Sequence, residues 1–395
     1  VVKNKSSLLF AFFLSVLFYA CSDAPTEIGA DLLPPGDGLE LFSWNTLDTP
    51  VPQTSWYKVD TVSMNYASAV LLGEVQNDVK SHLLLKFLVI DQVPDSIKDA
   101  LSNDSLSVTD AWISAPVIYR YGDGAELDFS VHGITDKWSA LNFTIDSLNN
   151  LSFNETDDYV SQEVTDSTFE FHFTPTSVYD WLMSEVVDSI DNYGLYLRPE
   201  GGDLVLGFPA LTTTLTNSRM KLTCVVEKPN DFVDTLVFYT SADVHVVERE
   251  IPDSLSGKII LSAGKITRGF VKFDLTEFPK NVAINRAIMR VFIDETETLQ
   301  GSNPSDTLYF TMLADSSGGV AEFSPKVLAT GDSSRISANI TEFVQKWINH
   351  PEQNYGVRLN LTDEKTSVNK LVFYGSEYPD TVKRPYLEIV YTKMN

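Results

Sequence analysis

The sequence predicts an all-β chain: two β-sandwiches in tandem, jelly-roll-like, each carrying one short helix. Three observations lead there. Short runs alternating in polarity and rich in β-branched and aromatic residues recur along the chain. Long amphipathic helices are absent. One order of motifs occurs twice.

The first element is apolar. Leu8 to Ala20 is interrupted only by Ser15, with Lys3 and Lys5 ahead of it and Cys21 behind it. As a helix it makes about 20 Å, short of the roughly 30 Å of a bilayer's hydrocarbon core. A basic head, a short apolar stretch and a small residue before a processing point describe a signal peptide over residues 1–20. The stretch resembles a bacterial lipoprotein signal, which implies that Cys21 is acylated and becomes the new N-terminus. Residues 21–55 hold Pro25, Pro34, Pro35, Pro50 and Pro52 with glycines and acids, the composition of a tether. The acids of "CSDAPTE" resemble the export signal of surface lipoproteins in Bacteroidota, and "TEIGADLLPPGD" resembles the opening of lipoproteins of that group. The expected location is therefore the outer membrane, exposed at the cell surface, with lipid as the only membrane contact.

The strands follow in two series, expected over residues 56–228 and 229–395. "LKFLVIDQVP" in the first matches "VKFDLTEFP" in the second, and "LDFSVHGI" matches "LYFTMLAD". A short helix comes next in each. Val178, Trp181 and Leu182 stand at i, i+3 and i+4, as do Val344, Trp347 and Ile348, so each helix turns one apolar face to a core. Thr174 and Pro175 read as the cap and first turn of the first helix. "NYG" then occurs at 192–194 and again at 354–356. A glycine-containing strand ("LVLGF", "LVFYG") and an Arg-led strand ("SRMKLTCVV", "KRPYLEIVY") close each series. "VDTV" (59–62) and "VDTL" (233–236) read as the openings of the two copies.

The motifs "RGFVKFDLTEFP", "INRAIMRVFI", "ANITEFVQKWIN", "NYGVRLNL", "LVFYGSE" and "RPYLEIVYT" together resemble the DNRLRE-type domain, a β-sandwich placed among the carbohydrate-binding modules of bacterial surface and secreted proteins. The resemblance covers about 234–395. The first half is a divergent copy. What the resemblance implies is polysaccharide binding or a structural role at the surface.

Composition narrows the function further. With 29 basic and 54 acidic residues the net charge is −25, so a phosphate backbone is repelled and nucleic acid is excluded as a partner. Cys224 lies in an apparent strand, and no disulfide framework is expected. The motifs G-x-S-x-G, H-E-x-x-H and the phosphate-binding G-x-x-x-x-G-K-[ST] are all missing, and the five histidines are scattered, so no enzyme is expected. No cofactor is expected either. Calcium alone stays open, with "YGDGAELD" (121–128) the loop richest in acids and turn glycines, which a plain hairpin also explains.

Sugar binding calls for an exposed flat ring. Trp181 and Trp347 face cores by their spacing, Trp112 reads as core, and Trp44 and Trp56 fall in or near the tether. That leaves Trp138, in "GITDKWSALN", as the candidate glycan-binding residue. The expected function is non-catalytic binding of a polysaccharide or other extracellular polymer. The alternative is a structural spacer or adhesin with no small ligand.

Overall fold

The computed structural model describes residues 40–89, 92–213, 219–332 and 334–393. In chain order the first strands are β1 (Leu41–Asn45), β2 (Gln53–Val59), β3 (Ala69–Val75) and β4 (Val79–Phe87). Helix α1 (Asp95–Ser102) leads to β5 (Ser107–Pro116), β6 (Tyr119–Tyr121) and β7 (Asp128–Gly133). Helix α2 (Ile145–Asn149) precedes β8 (Tyr159–Val164) and β9 (Thr168–Phe173). Helix α3 (Thr176–Met183) is followed by β10 (Leu195–Gly201), β11 (Asp203–Pro209), β12 (Lys221–Lys228) and the long β13 (Phe232–Arg249). The remaining strands begin with β14 (Ile259–Ser262), β15 (Thr267–Phe273), β16 (Val282–Phe292) and β17 (Thr307–Met312). Then come β18 (Lys326–Gly331), β19 (Arg335–Asn339), helix α4 (Thr341–Asn349), β20 (Val357–Leu361), β21 (Lys370–Phe373) and β22 (Tyr386–Lys393).

The fold is all-β, and every ladder is antiparallel. The strands fall into two sets that share no ladder. One runs β6-β11-β3-β4-β13-β12-β5-β9-β8, with β10 against β4 and β7; the other runs β1-β22-β16-β19-β18-β17-β20-β15-β14-β21, with β2 against β15. We call these body 1 and body 2. Each encloses its own apolar core. In body 1 Leu85, Phe87, Phe171, Trp181 and Leu222 meet; in body 2 Val271, Phe273, Phe310, Trp347 and Leu387 do. Trp181 and Trp347 thus sit where helix spacing places them. Thr174, however, does not cap α3. Its hydroxyl bonds Asp158, and Pro175 takes the cap position.

Apart from β6, which pairs with β11, and the ladder between β17 and β18, β3 to β12 repeat as β14 to β22. The tripeptide "NYG" shows why its residues recur. Asn192 Nδ2 donates to Phe87 O at 3.1 Å, and Asn354 Nδ2 donates to Phe273 O at 2.9 Å. Gly194 and Gly356 have φ of +89° and +101°, and a Cβ there would meet Leu85 O and Val271 O at 2.0 and 2.5 Å. Only glycine enters the sheet so close to its neighbour's carbonyl.

The expected boundaries need correction at two places. The tether expected to run to residue 55 contains β1, paired with β22, and the start of β2, paired with β15, so both belong to body 2. The division expected at 228/229 falls too early, because β13 lies beyond it and yet pairs first with β12 and then with β4 in body 1. The two departures are one arrangement. Strand β13 does for body 1 what β1 and β2 together do for body 2, so the opening strands of each copy complete the other. The turn at 229–231 is the cause. Asp231 N bonds Lys228 O at 3.0 Å, and Asn230 takes a φ of +62°. So tight a hairpin returns β13 along β12, leaving the matching place in body 2 for β1 and β2.

The bodies also meet directly. The Arg249 guanidinium, buried, bonds Asp78 at 2.9 Å and Val368 O at 2.8 Å, joining body 1 to the loop before β21. The Tyr119 hydroxyl donates to Asn369 Oδ1 at 2.9 Å, and Ser302 N donates to Arg120 O at 2.7 Å. Leu71, Val79, Tyr121, Val247 and Val368 pack in the same seam. Burial pushes the Asp78 carboxyl up, but Arg249, the Tyr121 hydroxyl and Lys370 outweigh it and hold it below its ordinary value.

Candidate functional site

The outward faces of the two bodies differ, and the difference builds the site. In body 1 the cross-strand row Val244, Leu84, Tyr196 and His132 is covered by residues 134–158, which fold over it with Ile134, Phe143 and Leu148. The corresponding row in body 2 is Trp56, Phe270, Arg358 and Thr311, with Lys326 beside Thr311. Its covering loop, 313–325, is shorter; Gly318 rests against the Phe270 ring. Trp56 stays 36% exposed and lies parallel to Phe270, ring centroids 5.1 Å apart and planes 7° apart.

This face is basic in an acidic chain. Strands β2, β15, β20, β17 and β18 contain no Asp or Glu, yet carry Lys58, Arg268, Lys272, Arg358 and Lys326. Alternation turns all five outward, because Val271, Phe273, Val357, Leu359 and Phe310 take the inward places. Arg268 is neutralised by Glu364 at 2.7 Å and Asp60 at 2.9 Å. Lys326 Nζ lies 3.9 Å from the Tyr309 ring centroid. Arg358 is half-buried, and its Nε is buried without a partner. Burial and the neighbouring Arg268 lower its pKa from the ordinary arginine value, against the attraction of Glu364 and Asp60. Thr311 Oγ1 and Asn360 Oδ1, on the same face, are also buried without partners.

At the Lys272 end the face runs into a cavity of about 380 Å³, lined by Gln53, Thr54, Lys272, Asp274, Trp347 and Asn354. Body 1 has a cleft of about 730 Å³ at the matching place, lined by Lys86, Trp138, Leu141, Asp188, Asn192 and Ser241. Asn354 Oδ1 and Asn192 Oδ1 are unpartnered in both.

Trp138, the residue singled out in the sequence, therefore does line a cleft. Its ring packs edge-on against Phe143 with centroids 6.0 Å apart, and its Nε1 donates to Tyr193 O at 2.7 Å, so it also holds down the cover of body 1. Trp112 is not core: it lies half-buried on the outside of β5, stacked on His172 with centroids 5.5 Å apart. Trp44 and Trp56, expected in or near the tether, are strand residues of body 2. The signal for Trp56 was "QTSWYKV", which alternates but sits behind two prolines. Cys21 lies outside the described residues. Cys224 is buried, and burial pushes its thiol up to about 12.

The histidines do not gather. His82 bonds the Tyr196 hydroxyl and Glu248 at 2.7 and 2.9 Å, and His132 bonds Ser130 Oγ and Asn154 O, both at 2.8 Å. His245 is fully buried, with both ring nitrogens unpartnered, beside a cavity of about 270 Å³ at the seam. Among the described residues no three His, Cys, Asp or Glu side chains are grouped to hold a metal. In the loop at 121–128, Gly124 N bonds Asp203 O at 2.8 Å and closes the turn onto β11. No helix among the described residues is long and apolar enough to cross a membrane. No protein-family model and no curated protein matches this chain.

Proposed function

We propose that this protein is a cell-surface lipoprotein that binds a polysaccharide without catalysis, through the outward sheet face of body 2. The observation that carries the reading is Trp56, half-open to solvent and backed flat against Phe270. A pyranose ring presents C–H groups that stack on such a surface, while hydroxyls reach polar groups at its edge. Lys58 stands two residues along β2 from Trp56, and Arg358 lies on the same face across Phe270. The resemblance of residues 234–395 to DNRLRE-type modules, which takes in β15, β17, β18 and β20, supports the same reading. Cys21 holds the protein to the outer membrane by lipid.

The test is retention of the full chain by a panel of neutral and acidic polysaccharides, beside Trp56→Ala and Trp138→Ala. Retention lost in Trp56→Ala and kept in Trp138→Ala is the expected result. The reverse pattern moves the site to the cleft of body 1. The second reading, a rigid surface spacer, is favoured by the way β1, β2 and Arg249 tie the bodies together. It prevails if no polysaccharide is retained.

A further inference from the structure

We infer that the polymer taken by body 2 is acidic, a polysaccharide whose sugars carry carboxylate or sulfate groups, and that Arg358 receives the anion. This inference rests on the reading of body 2 as a polysaccharide site and narrows it to a chemical class.

The charge distribution is the first support. A chain of net charge −25 places five basic side chains and no acid on one five-stranded face. Acids do border it. Asp60 and Glu364 neutralise Arg268, Asp60 also lies 3.8 Å from Lys58, Asp274 follows β15, and Asp315 and Glu322 lie in the covering loop. None of them bonds the Arg358 Nε, which is buried without a partner; Glu364 and Asp60 attract its charge only from beyond contact distance.

An unpaired, half-buried guanidinium is expensive to keep, because its charge has left water without gaining a partner. Body 1 avoids that expense: Tyr196 stands at the matching position beneath its apolar cover. An acidic sugar would supply what body 2 lacks. A carboxylate or sulfate offers two or three acceptor oxygens to the planar fork of arginine. The sugar ring would lie on Trp56, two strand spacings or about 10 Å away across Phe270. Hydroxyls would reach Lys58, two residues along β2 from Trp56.

The overall charge repels polyanions at distances the solvent does not screen, so the attraction is short-ranged. At physiological salt charges more than about 8 Å apart are largely screened, and the local basic face decides the contact.

The test compares polygalacturonate with its fully methyl-esterified form, which keeps the backbone and removes the charge. Dextran sulfate and dextran form a second pair. The full chain is expected to bind at least one charged polymer about tenfold or more tightly than its neutral partner, and which pair responds identifies the anion. Arg358→Gln should erase that preference, a loss of about tenfold for one charge-assisted contact. It should leave the thermal midpoint unchanged or raised, since it removes an unpaired charge. Trp56→Ala should weaken both members of the pair. Equal binding of charged and neutral forms, lost in Trp56→Ala, would overturn the inference and leave the polysaccharide reading standing. A preference that survives Arg358→Gln would also overturn it. No binding to any polymer would remove both readings.

Discussion

Two neighbours on β13 pull the pH dependence of stability in opposite directions. Burial pushes the Asp243 carboxyl up to about 6, against the Leu211 amide and Arg219, which lower it. Burial, with Lys365 nearby, pushes His245 down to about 3. For Asp243 the folded value exceeds the unfolded one. Its contribution is full below about pH 3.9 and is lost as pH rises towards 6. For His245 the folded value is depressed. Its contribution is full above about pH 6.5 and is lost as pH falls towards 3. Between pH 4 and 6 the two slopes nearly cancel. Asp243→Asn keeps an acceptor for Leu211 N and removes one slope. Urea denaturation should show the variant about 1–2 kcal/mol more stable than the parent at pH 7.5, with the gain gone by pH 4. A gain equal at both pH values would mean that Asp243 does not titrate in the folded protein near 6. Gly356 makes a separate prediction at this scale. Gly356→Ala places a methyl against Val271 O at a φ of +101°, and should cost about 3 kcal/mol or more in the same measurement.

At the scale of elements, β1 and β2 are the parts of body 2 most distant in sequence from the rest of it. They cover Phe270, Tyr391 and Phe278 and supply two ladders. A chain beginning at residue 60 should lose amide-exchange protection along β15 and β22 while β5 and β12 keep theirs. Unchanged protection in β15 would show that body 2 closes without its donated strands. The same element marks what could be read beforehand. Alternation, helix spacing and the repeated "NYG" are local patterns, and the all-β fold, the core faces of Trp181 and Trp347 and the paired series followed from them. The exchange of opening strands did not, because it depends on a turn at 229–231 deciding pairing partners far away. Prolines 50 and 52 also disguised β2. The candidate site was legible only in its residue types. Trp138 stood out as a loop tryptophan, whereas Trp56 and Arg358, about 300 residues apart in sequence, become neighbours across Phe270 only through that exchange.

For the whole molecule, the seam around Arg249 decides whether the bodies act as one. Arg249→Met keeps the length of the side chain but leaves Asp78 buried with Lys370 at 3.7 Å as its remaining basic partner. Breaking one side of a buried pair costs about 3–5 kcal/mol. The expected outcome is two calorimetric unfolding transitions where the parent shows one. A single transition lowered as a unit would mean that the strand exchange alone couples the bodies.

The central claim is that body 2 offers its outward face to a polymer. The most direct measurement is lysine acylation of the full chain, read residue by residue, with and without saturating polygalacturonate. Protection of Lys58, Lys272 and Lys326, with Lys86 and Lys137 labelled as before, is the predicted result. Protection centred on Lys86 and Lys137 would place the polymer in the cleft beside Trp138 and contradict the account.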